Sequence, residues 1–206
     1  MPSLLKMLSV AALFGLLTAC TGFTKPPQAG STFKVLANGG HGSGVHIGDR
    51  FVLTAAHVVT TADVVTLKAD DGSVRQATVL WVNKDYDVAL LRYDRDENIA
   101  MSTLACREAK AGETLLARGN PGSLEFVSTH GKVSGSARKH GPWASVLVFD
   151  GTVAPGMSGG PTFDIAGRVV GLTVGLMAIP MGFNAALAPI SYVVPSSAVC
   201  TLLARG

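Results

Sequence analysis

Charge is scarce in this 206-residue chain: Asp, Glu, Lys and Arg together make up 15%. That disfavours a bundle of helices with solvated charged faces. Net charge is small as well, +3, and no basic stripe runs along the sequence, which removes the electrostatic case for a nucleic-acid partner. Between Arg168 and Arg205 there is no formal charge at all. A membrane span there is nonetheless disfavoured, because Gly171, Gly175, Pro180, Gly182, Asn184 and Pro189 interrupt any continuous helix. The segment suits buried strands and an unusually apolar loop, Leu176 to Leu187, that lines a substrate groove or touches lipid. His41 and His46 have no Cys or acidic partner at a fitting spacing, so they read as plain loop histidines, as do His130 and His140. Gly39-Gly40 lacks the Lys-Ser/Thr of a phosphate-binding loop and the setting of a dinucleotide site. No metal and no cofactor is expected, and no internal repeat is visible.

The chain is rich in hydrophobic residues, at 48%, and holds 24 glycines, with Val, Thr, Leu and Ala prominent. Its length allows a sizeable core, and this composition favours many short strands joined by tight turns, hence an all-β class. Strand-like runs recur at Phe51 to Ala55, Val64 to Lys68, Val74 to Val82, Val88 to Tyr93, Thr114 to Arg118, Glu125 to Ser134, Ala144 to Phe149 and Arg168 to Val174. Asp70-Asp71-Gly72-Ser73 tolerates positive φ and predicts a hairpin between two of them. Ser196 or Ser197 is placed to cap a short C-terminal helix through Leu203.

The first residues read differently. Lys6 precedes an apolar run from Met7 to Leu17, too short to span a bilayer with ease, which is the pattern of a signal peptide over residues 1–19. The run ends in Leu17-Thr18-Ala19-Cys20, similar to the bacterial lipobox, whose cysteine is acylated and becomes the new N-terminus. Residues 20–32, rich in Pro, Gly, Ser and Thr, then read as a lipidated tether. Loss of Lys6 with the signal takes the formal charge from +3 to +2. Thr21, not Asp, follows the cysteine, so the resemblance implies a lipid-anchored envelope protein at the outer membrane facing the periplasm. In such a compartment Cys106 and Cys200 either pair or stay as separate buried thiols.

Three segments carry chemistry. Gly156-Met157-Ser158-Gly159-Gly160-Pro161 lets the backbone turn sharply around a serine and frees N–H groups, those of Gly156 and Ser158, for a developing oxyanion. A serine hydroxyl needs a base, and His57 in Leu53-Thr54-Ala55-Ala56-His57-Val58-Val59 stands at the end of a strand. A carboxylate must hold that imidazole's tautomer. Asp87, directly before the apolar run Val88 to Leu91, is preferred over Asp85 two residues upstream.

In the order His57, Asp87, Ser158 these segments resemble the trypsin-like (chymotrypsin-fold) serine proteases, supported by Gly42-Ser43-Gly44-Val45 and Gly167-Arg168-Val169-Val170-Gly171. The resemblance implies two packed six-stranded Greek-key barrels with a short C-terminal helix, residues 33–108 and 109–206, and a triad in the cleft between them. It implies an exported endopeptidase acting on protein or peptide substrates. Met157 stands where digestive members carry an aspartate for zymogen activation, so the pattern is closer to the bacterial HtrA/Do-like branch, without a PDZ domain. Some members bridge the inter-barrel linker to the final helix, and Cys106 and Cys200 fall at matching places. Alignment on the nucleophile puts Thr152, with Val153 and Val174, in the specificity pocket. None is acidic, so small or medium apolar side chains are expected rather than Lys or Arg. The alternative is an idle trypsin-like fold that binds envelope peptides without cutting them.

Overall fold

A computed structural model describes residues 30–94, 99–182 and 184–205. The expected signal peptide, Cys20 and nearly all of the expected tether lie outside these residues. The first six strands are β1 (Thr32–Ala37), β2 (Gly40–Gly48), β3 (Phe51–Thr54), β4 (Val64–Ala69), β5 (Val74–Asn83) and β6 (Val88–Tyr93). They close into a barrel in the order β1-β2-β3-β6-β5-β4, sealed by pairing of β1 with β4. A one-turn helix, α1 (Ala56–Val59), follows β3. The next six are β7 (Thr114–Gly119), β8 (Val127–His140), β9 (Trp143–Phe149), β10 (Pro161–Phe163), β11 (Val169–Met181) and β12 (Asn184–Pro195), and they repeat that order in a second closed barrel. The chain then enters α2 (Ser196–Leu203). All described strand pairs are antiparallel and each third strand pairs with its sixth across a crossover, so the expected all-β pair of six-stranded barrels is what the chain forms.

Alternation explains the strands locally. In β5 buried Arg75 and Ala77 alternate with exposed Val74, Gln76 and Thr78, placing one face inward. Phe33, Val35, Leu67, Leu91 and Tyr93 fill the first barrel, and Leu115, Leu147, Phe149 and Val193 fill the second. A third cluster joins them: Val45, Leu53 and Val88 pack with Phe163, Leu172 and Val174. This shared core is the floor of the inter-barrel cleft. Ion pairs add to the seam, with Glu125 held between Lys34 and Lys68. Cys106, on the linker, forms a disulfide with Cys200 of α2, with Cα atoms 5.5 Å apart.

Several local expectations are corrected. β2 was not anticipated, because Gly-His-Gly-Ser-Gly reads as a loop. It is a strand that approaches its neighbours closely: a Cβ on Gly42 would lie 2.4 Å from Val58. His41 and His46 are therefore strand residues, and so are His130 and His140 in β8. His46 is buried, touching Ala100 O and the Tyr93 hydroxyl, and burial holds its pKa below the usual value. The apolar loop at 176–187 is the end of the β11–β12 hairpin, turning at Gly182 (φ 61°), with Ile179, Met181 and Leu187 exposed. α2 begins after Pro195 with no side-chain cap, and the Ser196 hydroxyl donates instead to Arg107 O. Among the described residues no helix is long and apolar enough to cross a membrane.

Candidate active site

β3 ends at Thr54, and His57 is the second residue of α1 rather than the last of a strand. The turn from Asn83 to Asp87 delivers the carboxylate opposite it. Asn83 Oδ1 accepts from Tyr86 N, Asp87 N donates to Lys84 O, and Asp87 adopts a left-handed φ of 54°. That conformation is costly for a residue with a side chain, and it persists only where the surroundings over-determine it. Asp87 is buried and makes two contacts with one residue: His57 N donates to Oδ1 at 2.8 Å, and Oδ2 lies 2.6 Å from His57 Nδ1. An ionised carboxylate only accepts, so Nδ1 carries the proton and Nε2 presents its lone pair. Asp85 is exposed, and its backbone carbonyl accepts from Ala144 N.

Ser158 lies across the cleft, on the loop before β10. Its carbonyl is fixed to the first barrel by Ser43 N at 2.7 Å. Met157 is buried and its N–H is committed to Ala154 O at 3.0 Å. The flanking N–H groups of Gly156 and Ser158 donate to nothing among the described residues, so two donors two positions apart stay open. Gly156 has φ 99°, and a Cβ there would sit 2.2 Å from Asn120 O, so glycine is required on both counts. The Ser158 hydroxyl also has no partner there, His57 included. Contacts of this kind are commonly long until a substrate is held.

Two residues that motif reading passed over organise this loop. The Ser43 hydroxyl donates to Gly156 O at 2.7 Å and accepts from both Asn120 N and Nδ2. Asn120 is fully buried; its amide also reaches Phe33 O, Phe126 N donates to its Oδ1, and its carbonyl meets His41 Nε2. Together they pin the candidate oxyanion loop to the first barrel. Ser43 was visible only as part of a glycine-rich match, and nothing in the local sequence marks Asn120.

A cavity of about 600 Å³ opens beside His57 and Asp87, walled by Trp143, Val174 and Gly175 and rimmed by Lys84. Val174 thus lines it. Val153 is packed in the core of the second barrel and Thr152 is exposed, and neither borders this cavity. Among the described residues no group of three or more His, Cys, Asp and Glu is arranged to hold a metal.

Residues 42–172 match the model of the trypsin-like peptidase domain, more than half of the chain. The chain belongs to the trypsin-like peptidase family. Within that family it is similar to proteins named as probable periplasmic serine endoproteases, DegP-like. One from Pseudomonas savastanoi pv. phaseolicola is 31% identical over 163 residues, 78% of this chain and 34% of that one. One from Rhizobium meliloti is 32% identical over 160 residues, 76% and 31% of the two chains. The chain thus spans about a third of the length of the curated relatives it matches. Among solved structures, the inactive form of the Rv3671c protease of M. tuberculosis superposes with a TM-score of 0.72 at 26% identity, covering 86% of this chain and 89% of that one. The serine endoprotease from Yersinia pestis, at 22% identity, shares the fold with a TM-score of 0.73 over 87% of this chain and 63% of its own.

Proposed function

We propose that the chain is an exported serine endopeptidase that hydrolyses peptide bonds through His57, Asp87 and Ser158. The observation that carries this reading is the double hold of Asp87 on His57, which leaves Nε2 as the available base. Ser158 Oγ attacks the scissile carbonyl carbon while its proton passes to His57 Nε2. The carbonyl oxygen, now an oxyanion, takes the open N–H groups of Gly156 and Ser158, where each donor is worth about 3 kcal/mol. Collapse breaks the C–N bond, His57 returns its proton to the leaving amine, and Ser158 is left as an acyl ester. Water then repeats the sequence, giving its proton to His57 and its oxygen to the acyl carbon, and Ser158 regains its hydroxyl. Asp87 stays ionised throughout and offsets the imidazolium.

The substrate is a protein or peptide, cut after a small or medium apolar side chain. Val174, which lines the cavity, brings no carboxylate to pair with a buried cation, Lys84 stands at the rim, and the oxygens of Asp87 are already engaged. The similarity to probable periplasmic serine endoproteases supports a site in the cell envelope, and Cys20 is proposed as the lipid anchor at the outer membrane.

Covalent labelling by a fluorophosphonate tests the reaction. Labelling of the parent is expected at Ser158, with loss of the adduct and a fall in peptide turnover of about a million-fold in Ser158→Ala. Folded protein without a Ser158-dependent adduct overturns the hydrolase reading and leaves a trypsin-like fold that binds peptides without cutting them.

A further inference from the structure

The His57–Asp87 pair has a third participant, and it comes from the other barrel. Trp143 Nε1 donates to Asp87 Oδ2 at 3.2 Å, the same oxygen that takes His57 Nδ1. Trp143 opens β9, just beyond the Gly141-Pro142 tip of the long β8–β9 hairpin. That hairpin reaches across the cleft far enough for Ala144 N to donate to Asp85 O at 2.7 Å, so its end is tied to the turn that carries Asp87. The indole is seated on both sides. Its ring lies 5.3 Å from that of Tyr192. A Cβ on Gly175 would come within 2.6 Å of Trp143 Cη2, so only glycine leaves room for it.

Three donors therefore converge on one buried carboxylate: two from His57 at Oδ1 and Oδ2, and the indole N–H on the remaining lone pair of Oδ2. Donors on both oxygens fix the plane of the carboxylate. His57 N fixes Oδ1 to α1, but apart from the indole Oδ2 is held only by the imidazole it is meant to orient. A donor from the opposite barrel supplies an outside reference. Trp143 also walls the cavity beside His57.

We infer that Trp143 is a positioning residue for Asp87, locking the His57–Asp87 pair from the second barrel; this rests on the serine-endopeptidase reading above. Two measurements test it. The first is the rate of Ser158 labelling by a small fluorophosphonate in Trp143→Phe, which keeps a ring and removes the donor. A rate about tenfold lower at an unchanged thermal midpoint is expected. The second is the ¹⁵N–¹H spectrum of the indole groups in a Ser158→Ala background, with and without Asp87→Asn. The chain has two tryptophans. The Trp143 signal is expected downfield, moving upfield when the carboxylate charge is removed, while Trp81 stays in place. Labelling of Trp143→Phe at the parental rate overturns the inference and leaves the peptidase reading intact. If that variant does not fold, an indole signal indifferent to Asp87→Asn overturns it instead. A parent that is never labelled overturns both.

Discussion

The two barrels share one strand order but not one geometry. In the first, strands run from four to ten residues, and register shifts occur at only two places, His46/Gly48 and Val79/Trp81. In the second, strands run from three to fourteen residues, and β8–β9 alone shifts register three times, with further shifts in β10–β11 and β11–β12. Bulges bend a strand and re-aim its side chains. The regular barrel supplies His57 and Asp87, which need only one turn each to meet. The irregular barrel supplies the long hairpins, and one of them carries Trp143 back over the cleft to Asp87. On the proposed mechanism the labour is divided: one half builds the base, and the other half aims it and carries Ser158.

That contrast is open to attack at the places where the halves are fastened. The largest stability effect is expected from Cys200→Ser. It releases α2 from the linker and opens a loop with a sequence separation of 94 residues, for a loss of about 2–4 kcal/mol read from urea unfolding under oxidising conditions. An unchanged midpoint would mean that the linker is held by other contacts.

Asn120→Ala comes next, at about 2–3 kcal/mol, because it strips buried partners from Ser43 Oγ, Phe33 O and Phe126 N at once. It is also expected to slow Ser158 labelling by loosening Gly156, whose carbonyl depends on Ser43. Slower labelling with no stability loss would assign Asn120 to the loop alone.

The smallest effect is pH-dependent. Burial pushes the Asp164 carboxyl up, but Arg168 N–H and the Arg107 and Arg168 guanidinium groups outweigh it and hold the group below its usual pKa. A depressed carboxylate adds stability above its unfolded pKa and loses it as pH falls through the folded value. Urea midpoints from pH 7 down to 3 should therefore show the parent losing stability on acidification and Asp164→Asn losing less, with the two converging at the acid end. Parallel curves would rule Asp164 out as the titrating group.

Much of this was legible in local patterns. The hairpin at Asp70 to Ser73 formed because Gly72 takes a φ of 84° and Asp71 Oδ1 accepts from Ser73 N, both properties of the residues themselves. β4 and β5, with clean alternation, and β6, an unbroken buried run from Val88 to Leu91, were readable within a residue or two. β2 was not, since its glycines carry no β signal and serve instead to let strands and loops cross closely. β12 and the outer half of β11 were hidden too, because an apolar, uncharged run with Gly and Pro reads equally well as a loop. Trp143 left only a weak trace, a tryptophan following Gly141-Pro142, and its partner lies 56 positions away.

From sequence alone came the all-β class and the candidate segments around His57, Asp87 and Ser158: turn chemistry and strand alternation are written in neighbouring residues, and a serine nucleophile calls for a base and a carboxylate. What folding alone decided is which groups surround them. Asp87 is gripped twice by His57 and once by an indole from the other barrel, and Gly156 is anchored through Ser43 and Asn120. These are contacts between residues far apart in the chain, brought together by barrel closure and the apolar seam, and no local pattern encodes a distance across a cleft.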